Sequence, residues 1–327
     1  MTTSSSPNRV RRAMGLGFAA SLIGAPAFAQ RWTPTKTVRI VVPASGGTVD
    51  LVARLVAPRL QEMWGQPVIA EPRPGASGNI AAALVAKAPG DGHTLLVGFN
   101  PLVISTFLSK NLQYDIKELA PVTLGVTSEQ VLVVNPDLPV NTLGEFVALA
   151  KKPDSRLNYG SIGTGSASHL TMELFKSRAG IDVRHIPYKG AGPALTDLLG
   201  KQTSAGVFAS ANVLPYVKDG KLKALAITGG KRLKSLPGVP SMAEAGFPNL
   251  EAPVWIGFLA PATTPAPIVR KIQEDIAKAL RSPSAQGSIA AAEFDIVANT
   301  PEDFGRFLQR EATTWARVAQ QADVKPE

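Results

Sequence analysis

The residues best suited to chemistry in this chain are glycines set among serines and threonines, between a short strand and an amphipathic helix in residues 157–180. Gly160, Gly163 and Gly165 let the backbone turn sharply and let a ligand approach the main chain closely. A Ser or Thr beside the last glycine can cap the helix that follows. Because a helix start offers unpaired N–H groups and the positive end of the helix dipole, this stretch predicts an anion-binding site.

A second stretch, residues 38–60, follows the same plan and is expected to form the opposite side of a binding cleft. A β-rich run at its beginning leads through the turn of residues 45–48 into a helix. Asp50 lies near the first turn of this helix, where the dipole favours a carboxylate. Two compatible roles remain open for Asp50. It stabilises the helix end, or it also bonds back into the turn and fixes its N–H groups for a ligand or bridging waters.

Enzyme motifs are scarce. The common signatures of serine hydrolases, zinc proteases and P-loop nucleotide sites are absent from the sequence. The three histidines are scattered, and without cysteine a zinc site would need carboxylates, so neither a metal nor a catalytic residue is assigned. Residues 163–168 nearly match the dinucleotide fingerprint but lack its third glycine, so no cofactor is expected. The competing hypothesis is an exported hydrolase in which His169 activates Ser161, Ser166 or Ser168, and the missing nucleophile motif disfavours it.

The first 29 residues have the organisation of a secretory signal peptide. A basic segment with three arginines precedes a short apolar run, and residues 27–29 form an A-x-A cleavage site. The apolar run is too short for the roughly 20 residues that a membrane span needs. We therefore expect export to the periplasm with cleavage after Ala29, by a Sec or a twin-arginine route.

Composition narrows the range of partners. Without the three leader arginines, the chain has 31 of its 34 basic residues and 25 acidic residues, which gives a formal charge of +6. The basic residues are spread along the chain. No dense basic run is interleaved with aromatic residues, which argues against nucleic acid as a partner, whereas a mild positive field favours anionic ligands. The sequence contains no cysteine, so this exported chain is expected to be stabilised by packing alone, without disulfides.

Strand and helix signals alternate through the first hundred residues after the leader and again through the next hundred, which predicts two α/β units. Each unit is expected to hold a mixed, mostly parallel sheet flanked by helices. The domain prediction is a discontinuous domain 1, residues 31–130 and 230–327, into which domain 2, residues 131–229, is inserted. A long helical tail, residues 265–321, is expected to pack back onto domain 1. Two clear strand signals are residues 94–99 and 254–261.

Several short motifs follow one another along the chain in a characteristic order. They are the Gly-Gly turn of residues 43–50, R-P-G-A at 73–76, P-G-D-G-H-T-L-L at 89–96, Y-G-S at 159–161, H-I-P-Y-K-G at 185–190 and P-A-L-T-D-L-L-G at 193–200. Together they resemble the Bug-type periplasmic solute receptors of tripartite tricarboxylate transporters, over essentially the whole mature chain. The resemblance implies a two-domain "Venus flytrap" fold of the periplasmic-binding-protein type.

The resemblance also implies a receptor rather than an enzyme. Such receptors bind tricarboxylates, dicarboxylates, acidic amino acids or aromatic acids. They deliver the small organic acid to the integral membrane permease subunits of the transporter, or serve a sensor protein where no transporter exists. The implied protein is a monomer that uses no metal, cofactor or nucleic acid.

In this family, one carboxylate is held by main-chain groups and waters at the two Gly-rich helix starts. The corresponding positions here are Ser45, Gly46, Gly47 and Asp50 on one side, and Ser161, Gly163, Thr164, Gly165 and Ser166 on the other. Further cleft candidates are Ala76, Asn79, Tyr188, Lys189, Ala209 and Trp255. From the residues alone, Lys189 is better interpreted as a surface lysine and Trp255 as a core residue.

Two departures from the family pattern fall near the implied pocket. Pro43 is followed only by Ala44 and Ser45 before the glycine pair, one residue fewer than usual, and Pro72 stands where the family has Asn. These differences alter the expected shape of the pocket, so the resemblance does not identify the ligand.

Overall fold

The computed structural model describes residues 1–4, 32–248, 250, 252–321 and 324. The predicted signal peptide, apart from its first four residues, and its cleavage site lie outside these residues. Trp32–Glu327 forms one compact unit. None of the described helices combines the length and apolar character of a bilayer-spanning segment.

The strands of the described chain form two sheets. They are β1 (Val38–Val42), β2 (Val68–Pro72), β3 (Thr94–Phe99), β4 (Leu119–Ser128), β5 (Gln130–Val134), β6 (Asn158–Ser161), β7 (Arg184–Pro187), β8 (Ala205–Ala209), β9 (Lys223–Ile227), β10 (Val254–Pro261) and β11 (Phe294–Ile296). The six-stranded sheet has the order β11-β4-β10-β3-β1-β2, and the five-stranded sheet has the order β7-β6-β8-β5-β9. The strands predicted at residues 94–99 and 254–261 are both present, with the same bounds.

Helices follow most of the strands. They are α1 (Gly47–Trp64), α2 (Asn79–Ala86), α3 (Asn100–Leu108), α4 (Leu143–Ala150), α5 (Ala167–Ala179), α6 (Ala191–Leu199), α7 (Ser210–Lys218), α8 (Ala266–Leu280), α9 (Pro283–Ala291) and α10 (Pro301–Gln321). One face of the six-stranded sheet packs against α1, α8 and α9, and the other face packs against α2, α3 and α10. The five-stranded sheet packs against α4 and α5 on one face and α6 and α7 on the other. Both sheets are therefore covered by helices on both faces, as predicted.

Both sheets are mixed, as predicted. The sequence also predicted mostly parallel pairs, and in this respect the structure differs. Strand β1 pairs in parallel with β2 and β3, whereas β10 is antiparallel to β3 and β4, and β11 is antiparallel to β4. In the other sheet, β6 is parallel to β7 and β8, and β5 is antiparallel to β8 and β9. The antiparallel strands include β4, β5, β9 and β10, which carry the chain from one sheet to the other and back without a crossover helix.

The register of these strands places the loops that follow the strands of the two sheets in one region. Ile256 of β10 lies opposite both Phe99 of β3 and Val126 of β4, so β3 and β4 end at the same sheet edge. Only Glu129 separates β4 from β5, and Gln130 of β5 lies opposite Ala209 at the end of β8. Because β6 and β7 run parallel to β8, the carboxyl ends of strands from both sheets face a common region. In α/β folds this is the usual place for a ligand.

The last helix packs on both sheets. Phe304 and Leu308 in its first half belong to the core of the six-stranded sheet, as the sequence predicted for the helical tail. Trp315, Val318 and Ala319 in its second half belong to the core of the five-stranded sheet. A helix of 21 residues is about 30 Å long, which is enough to reach both.

Candidate functional site

The loop between β6 and α5 is held by hydrogen bonds among its own residues. Ser166 caps α5, since its Oγ accepts from the N–H of His169 at 3.3 Å and donates to the carbonyl of Gly163 at 2.6 Å. The Oγ of Ser161 accepts from the N–H of Gly163 at 3.2 Å, and Nδ1 of His169 accepts from the N–H of Gly165 at 3.1 Å. The N–H groups of both glycines, which the resemblance offered to a ligand, are thus already paired.

Other donors at this helix start are unpaired, and among their residues Thr164 lies partly exposed while Ala167 and Ser168 are buried. The N–H groups of Thr164, Ala167 and Ser168 have no acceptor among the described residues. Two of them belong to the first turn of α5, where the dipole favours an anion. If an anion binds at this loop, the unpaired N–H groups differ from those that the glycine positions indicated.

Stacked aromatic rings support the loop from below. The ring centroids of His169 and His185 are 4.0 Å apart, and Tyr159 stacks on His185 at 4.9 Å. Nε2 of His185 lies 2.7 Å from Oγ of Ser161. Burial lowers the pKa of both histidines to about 4, with further lowering by Lys176 at His169 and by His169 at His185. Both rings are therefore neutral at neutral pH and can accept hydrogen bonds from the loop.

The contact of His185 with Ser161 was missed in the sequence, where His169 was the histidine considered beside a serine. Parallel pairing places Tyr159 opposite His185 and Ser161 opposite Pro187, so β7 brings this histidine to the loop. The Ser161 side chain is fully buried, with 0% of its surface exposed. A nucleophile must reach its substrate, so this burial weighs against the hydrolase hypothesis.

The β1–α1 loop is open by comparison. Ser45, Gly46 and Gly47 are exposed, and the two glycines adopt φ angles of +81° and +73°, in the left-handed region. No side chain caps α1. The buried Asp50 does not bond back into the loop, because its Oδ2 accepts from Nε of Arg54 one turn along the helix at 2.8 Å. Its Oδ1 is buried and has no hydrogen-bond partner among the described residues.

A third loop, between β2 and α2, has an unusual backbone. Gly75, Ala76, Ser77 and Gly78 all have positive φ angles, of 128°, 46°, 54° and 92°. For the two residues with a side chain this conformation costs about 1–2 kcal/mol each, and such strain clusters at ligand sites. The predicted site residue Ala76 is exposed here, and Asn79 begins α2, where its Oδ1 accepts from the hydroxyl of Tyr114 at 3.3 Å.

A pocket of about 60 Å³ lies between this third loop, α3 and the β6–α5 loop. Its lining residues are Ser77, Ile104, Ser105, Leu108, Ser109, Thr164 and Gly165. Of the predicted site residues, only Thr164 and Gly165 line this pocket. Ser77, which follows the predicted site residue Ala76, lines it as well. A Cβ added to Gly165 would lie 3.2 Å from Cδ1 of Leu108, so a glycine is needed for α3 to pack against the loop.

The contribution of α3 was also missed in the sequence. A partial signal was available, because Ser105 lies in the helix that follows β3 and Ser109 directly follows the end of that helix. The carboxyl end of β3 directs that helix towards the common region. Hydroxyls in this position are a usable marker of a pocket wall.

Three other predicted site residues lie near the β6–α5 loop or its sheet edge. Tyr188 is half-buried, and its hydroxyl donates to Oδ2 of Asp197 at 2.6 Å, while burial raises its pKa to about 12. Its carbonyl lies close to Gly163, 3.4 Å from the position of an added Cβ. Lys189 is exposed, and Ala209 is buried at the end of β8.

Trp255 lies in the core, where the sequence alone had placed it, and not at the surface of the pocket as the resemblance implied. It is 0% exposed and packs edge-to-face against Phe304 and Phe307. Its Nε1 donates to Oε2 of Glu311 at 2.9 Å. The side chain is buried because α2, α3 and α10 cover this face of the six-stranded sheet. In the described part of the chain, no group of three or more His, Asp or Glu side chains is placed to hold a metal ion.

Solved structures share this architecture. Rpa4515 of R. palustris with adipate has a TM-score of 0.84 and 34% identity, covering 90% of this chain and 99% of that one. MatC from Rhodopseudomonas palustris with bound malate has a TM-score of 0.80 and 32% identity, covering 87% of this chain and 99% of that one. The two sheets, with loops at facing strand ends, form the two-domain fold of periplasmic binding proteins.

Sequence comparison gives the family. Residues 52–324 match the family described as "Tripartite tricarboxylate transporter family receptor". Protein BugT of Bordetella pertussis is 35% identical over 321 residues, 97% of this chain and 98% of BugT. The chain belongs to the tripartite tricarboxylate transporter receptor family, which confirms the resemblance found in the motifs. The matched range begins after the β1–α1 loop.

Proposed function

We propose that this chain is an exported receptor that binds one small carboxylate in the pocket between the two sheets. The observation that carries the proposal is the pocket beside the start of α5, which Thr164 lines and where the N–H of Thr164 has no acceptor among the described residues. Unpaired N–H groups with a helix dipole behind them favour an anion. The relatives solved with adipate and malate support the same ligand class.

The ligand is held mainly by backbone groups. No charged side chain lines the pocket, so backbone N–H groups and bridging waters supply the attraction for the carboxylate. Lys189, although exposed near the loop, serves at most as a distant cation. The strained third loop and the β1–α1 loop complete the binding surface on the opposite side when a ligand is bound.

The two lobes of this proposal are residues 31–130 with 230–327, and residues 131–229. They close around the ligand by bending at the links between the sheets, a common motion for this layout. Residues 1–29 direct export and are removed by cleavage after Ala29. The mature monomer then delivers its ligand to the permease subunits of a tripartite tricarboxylate transporter, or to a sensor protein.

Calorimetry with adipate, malate and their monomethyl and dimethyl esters tests this proposal. We expect at least one acid to bind with a stoichiometry of one, and its dimethyl ester to bind at least tenfold more weakly, since the ester removes the anion. Equal affinity for acid and dimethyl ester would contradict the proposal.

The same esters test the hydrolase alternative, for which the close contact of Ser161 with His185 is the specific observation. Incubation with the dimethyl esters, followed by detection of released methanol, should show no turnover above buffer. Turnover that is lost in Ser161→Ala would instead support an enzyme and count against a receptor.

A further inference from the structure

The wall of the pocket formed by α3 is uncharged and carries one buried, unpaired hydroxyl. Ser105 is 5% exposed and lines the pocket. Its hydroxyl has no hydrogen-bond partner among the described residues, and it is not one of the fully enclosed unpaired atoms, so it retains surface towards the pocket. An unpaired buried hydroxyl is costly unless a bound molecule or water satisfies it.

Two of the residues that line the pocket beside Ser105 are apolar. Ile104 and Leu108 line the pocket from the same helix, and both belong to the core of the five-stranded sheet, so their positions are fixed by packing. No Lys, Arg or His side chain lines this pocket to pair with a second negative charge. Placing an additional carboxylate against this wall would remove it from water without a cation to compensate.

The pocket next to α3 is small and forms one part of the proposed binding surface. A volume of about 60 Å³ leaves room for roughly four to six water-sized groups at about 10–15 Å³ each. This suits a short acid of about four carbons. Its carboxylate lies at the start of α5 and its other end lies against α3.

We propose that Ser105 determines ligand specificity by hydrogen bonding to a neutral hydroxyl or carbonyl group of the bound acid, so that the preferred ligand is a short hydroxy or oxo monocarboxylate. This inference rests on the proposed function, because it assigns the part of the ligand that lies away from the anchored carboxylate. Ile104 and Leu108 contact the carbon chain on either side of that group.

The test compares five four-carbon acids by calorimetry: butyrate, its 2-, 3- and 4-hydroxy derivatives, and succinate. For the wild-type protein we expect the best hydroxybutyrate to bind about tenfold more tightly than butyrate, and more tightly than succinate. A site built to pair with a hydroxyl disfavours the analogue without it, because the buried protein group is left unpaired.

Ser105→Ala isolates the hydroxyl. In this variant we expect the preference for hydroxybutyrate over butyrate to fall to within about twofold, while butyrate itself binds as in the wild type. Thr106→Ala is the matched control, since Thr106 is exposed on the same helix and bonds to the carbonyl of Val103 at 2.7 Å. It should keep the full preference.

Each other outcome overturns the inference. Succinate binding more tightly than every hydroxybutyrate would show that the wall accepts a second charge. A preference that survives Ser105→Ala would place the hydroxyl elsewhere. If adipate or malate binds and none of the five acids in this panel does, the receptor function stands and this ligand class is wrong. If no acid binds in either experiment, both proposals fail.

Discussion

The chain contains two Gly-rich helix starts of similar sequence, and the structure gives them very different surroundings. At the β6–α5 loop, Ser166 caps the helix, Ser161 and His169 accept hydrogen bonds from loop N–H groups, and two stacked histidines lie beneath. At the β1–α1 loop, Gly46 and Gly47 are exposed, with no heavy atom within 4 Å of an added Cβ, and no side chain caps the helix.

The difference indicates how the two loops contribute to binding. A loop that is already fixed by its own hydrogen bonds loses little conformational entropy when a ligand arrives, whereas an open loop must be ordered at that moment. We infer that the β6–α5 loop is the preorganised side of the site and the β1–α1 loop is the adaptable side.

The largest difference should come from valine substitutions at the two glycine pairs. Gly165→Val forces a φ of +70° on a branched residue and places it 3.2 Å from Leu108, so we expect binding to weaken at least 100-fold, or about 2.7 kcal/mol. Gly47→Val has a similar φ of +73° but open space around it, and should weaken binding about tenfold. Calorimetry with the best acid measures both.

Gly180→Val is the control for backbone strain alone. Gly180 ends α5 with a φ of +60° and has open space around it, far along the helix from the pocket. Gly180→Val should reduce the free energy of unfolding without changing the affinity for the acid. If Gly165→Val binds as well as Gly180→Val, the preorganised loop does not contact the ligand.

Acid should destabilise the preorganised side specifically. The pKa of His169 and of His185 is about 4 in the folded protein, against an ordinary value of 6.5, chiefly because burial disfavours the charged ring. Between these values the unfolded chain binds more protons than the folded one, so the histidines' contribution to stability is complete above pH 6.5 and is lost as the pH falls towards 4.

Urea denaturation of the wild type and of His185→Asn at pH 7, 5.5 and 4.5 checks this expectation. Carboxylates titrate in both proteins and their effect cancels in the comparison. The wild type should lose more stability than the variant over this range. Parallel losses would mean that the stacked rings do not titrate as their burial implies.

The smallest expected difference is between alanine substitutions of one serine from each loop, measured as the free energy of unfolding. Ser161→Ala leaves the N–H of Gly163 and Nε2 of His185 without a partner, so we expect a loss of about 1–3 kcal/mol in the free energy of unfolding. Ser45→Ala changes an exposed residue and should alter stability by less than about 0.5 kcal/mol. Similar losses in urea denaturation would contradict the distinction between the loops.

Much of the fold could be predicted because its signals are local. The strands at residues 94–99 and 254–261 are apolar runs between turn residues. The start of α5 is indicated by its capping serine, Ser166. Such signals depend on residues only a few positions apart. The order of the motifs likewise identified the family before any geometry was known.

The details of the site depended on contacts between distant parts of the sequence. Parallel pairing of β6 with β7 brings His185 to Ser161 across 24 residues. Helix α3 reaches the pocket because of the position of β3 in its sheet.

The sequence by itself therefore determined the elements, the family and the positions of the two helix starts, because propensity, capping and periodicity act within a few residues. Only the tertiary structure decided which N–H groups remain free, that His185 contacts Ser161, and that α3 lines the pocket. These outcomes depend on which groups compete for the same partner once the chain is packed, and strand register and burial settle that competition.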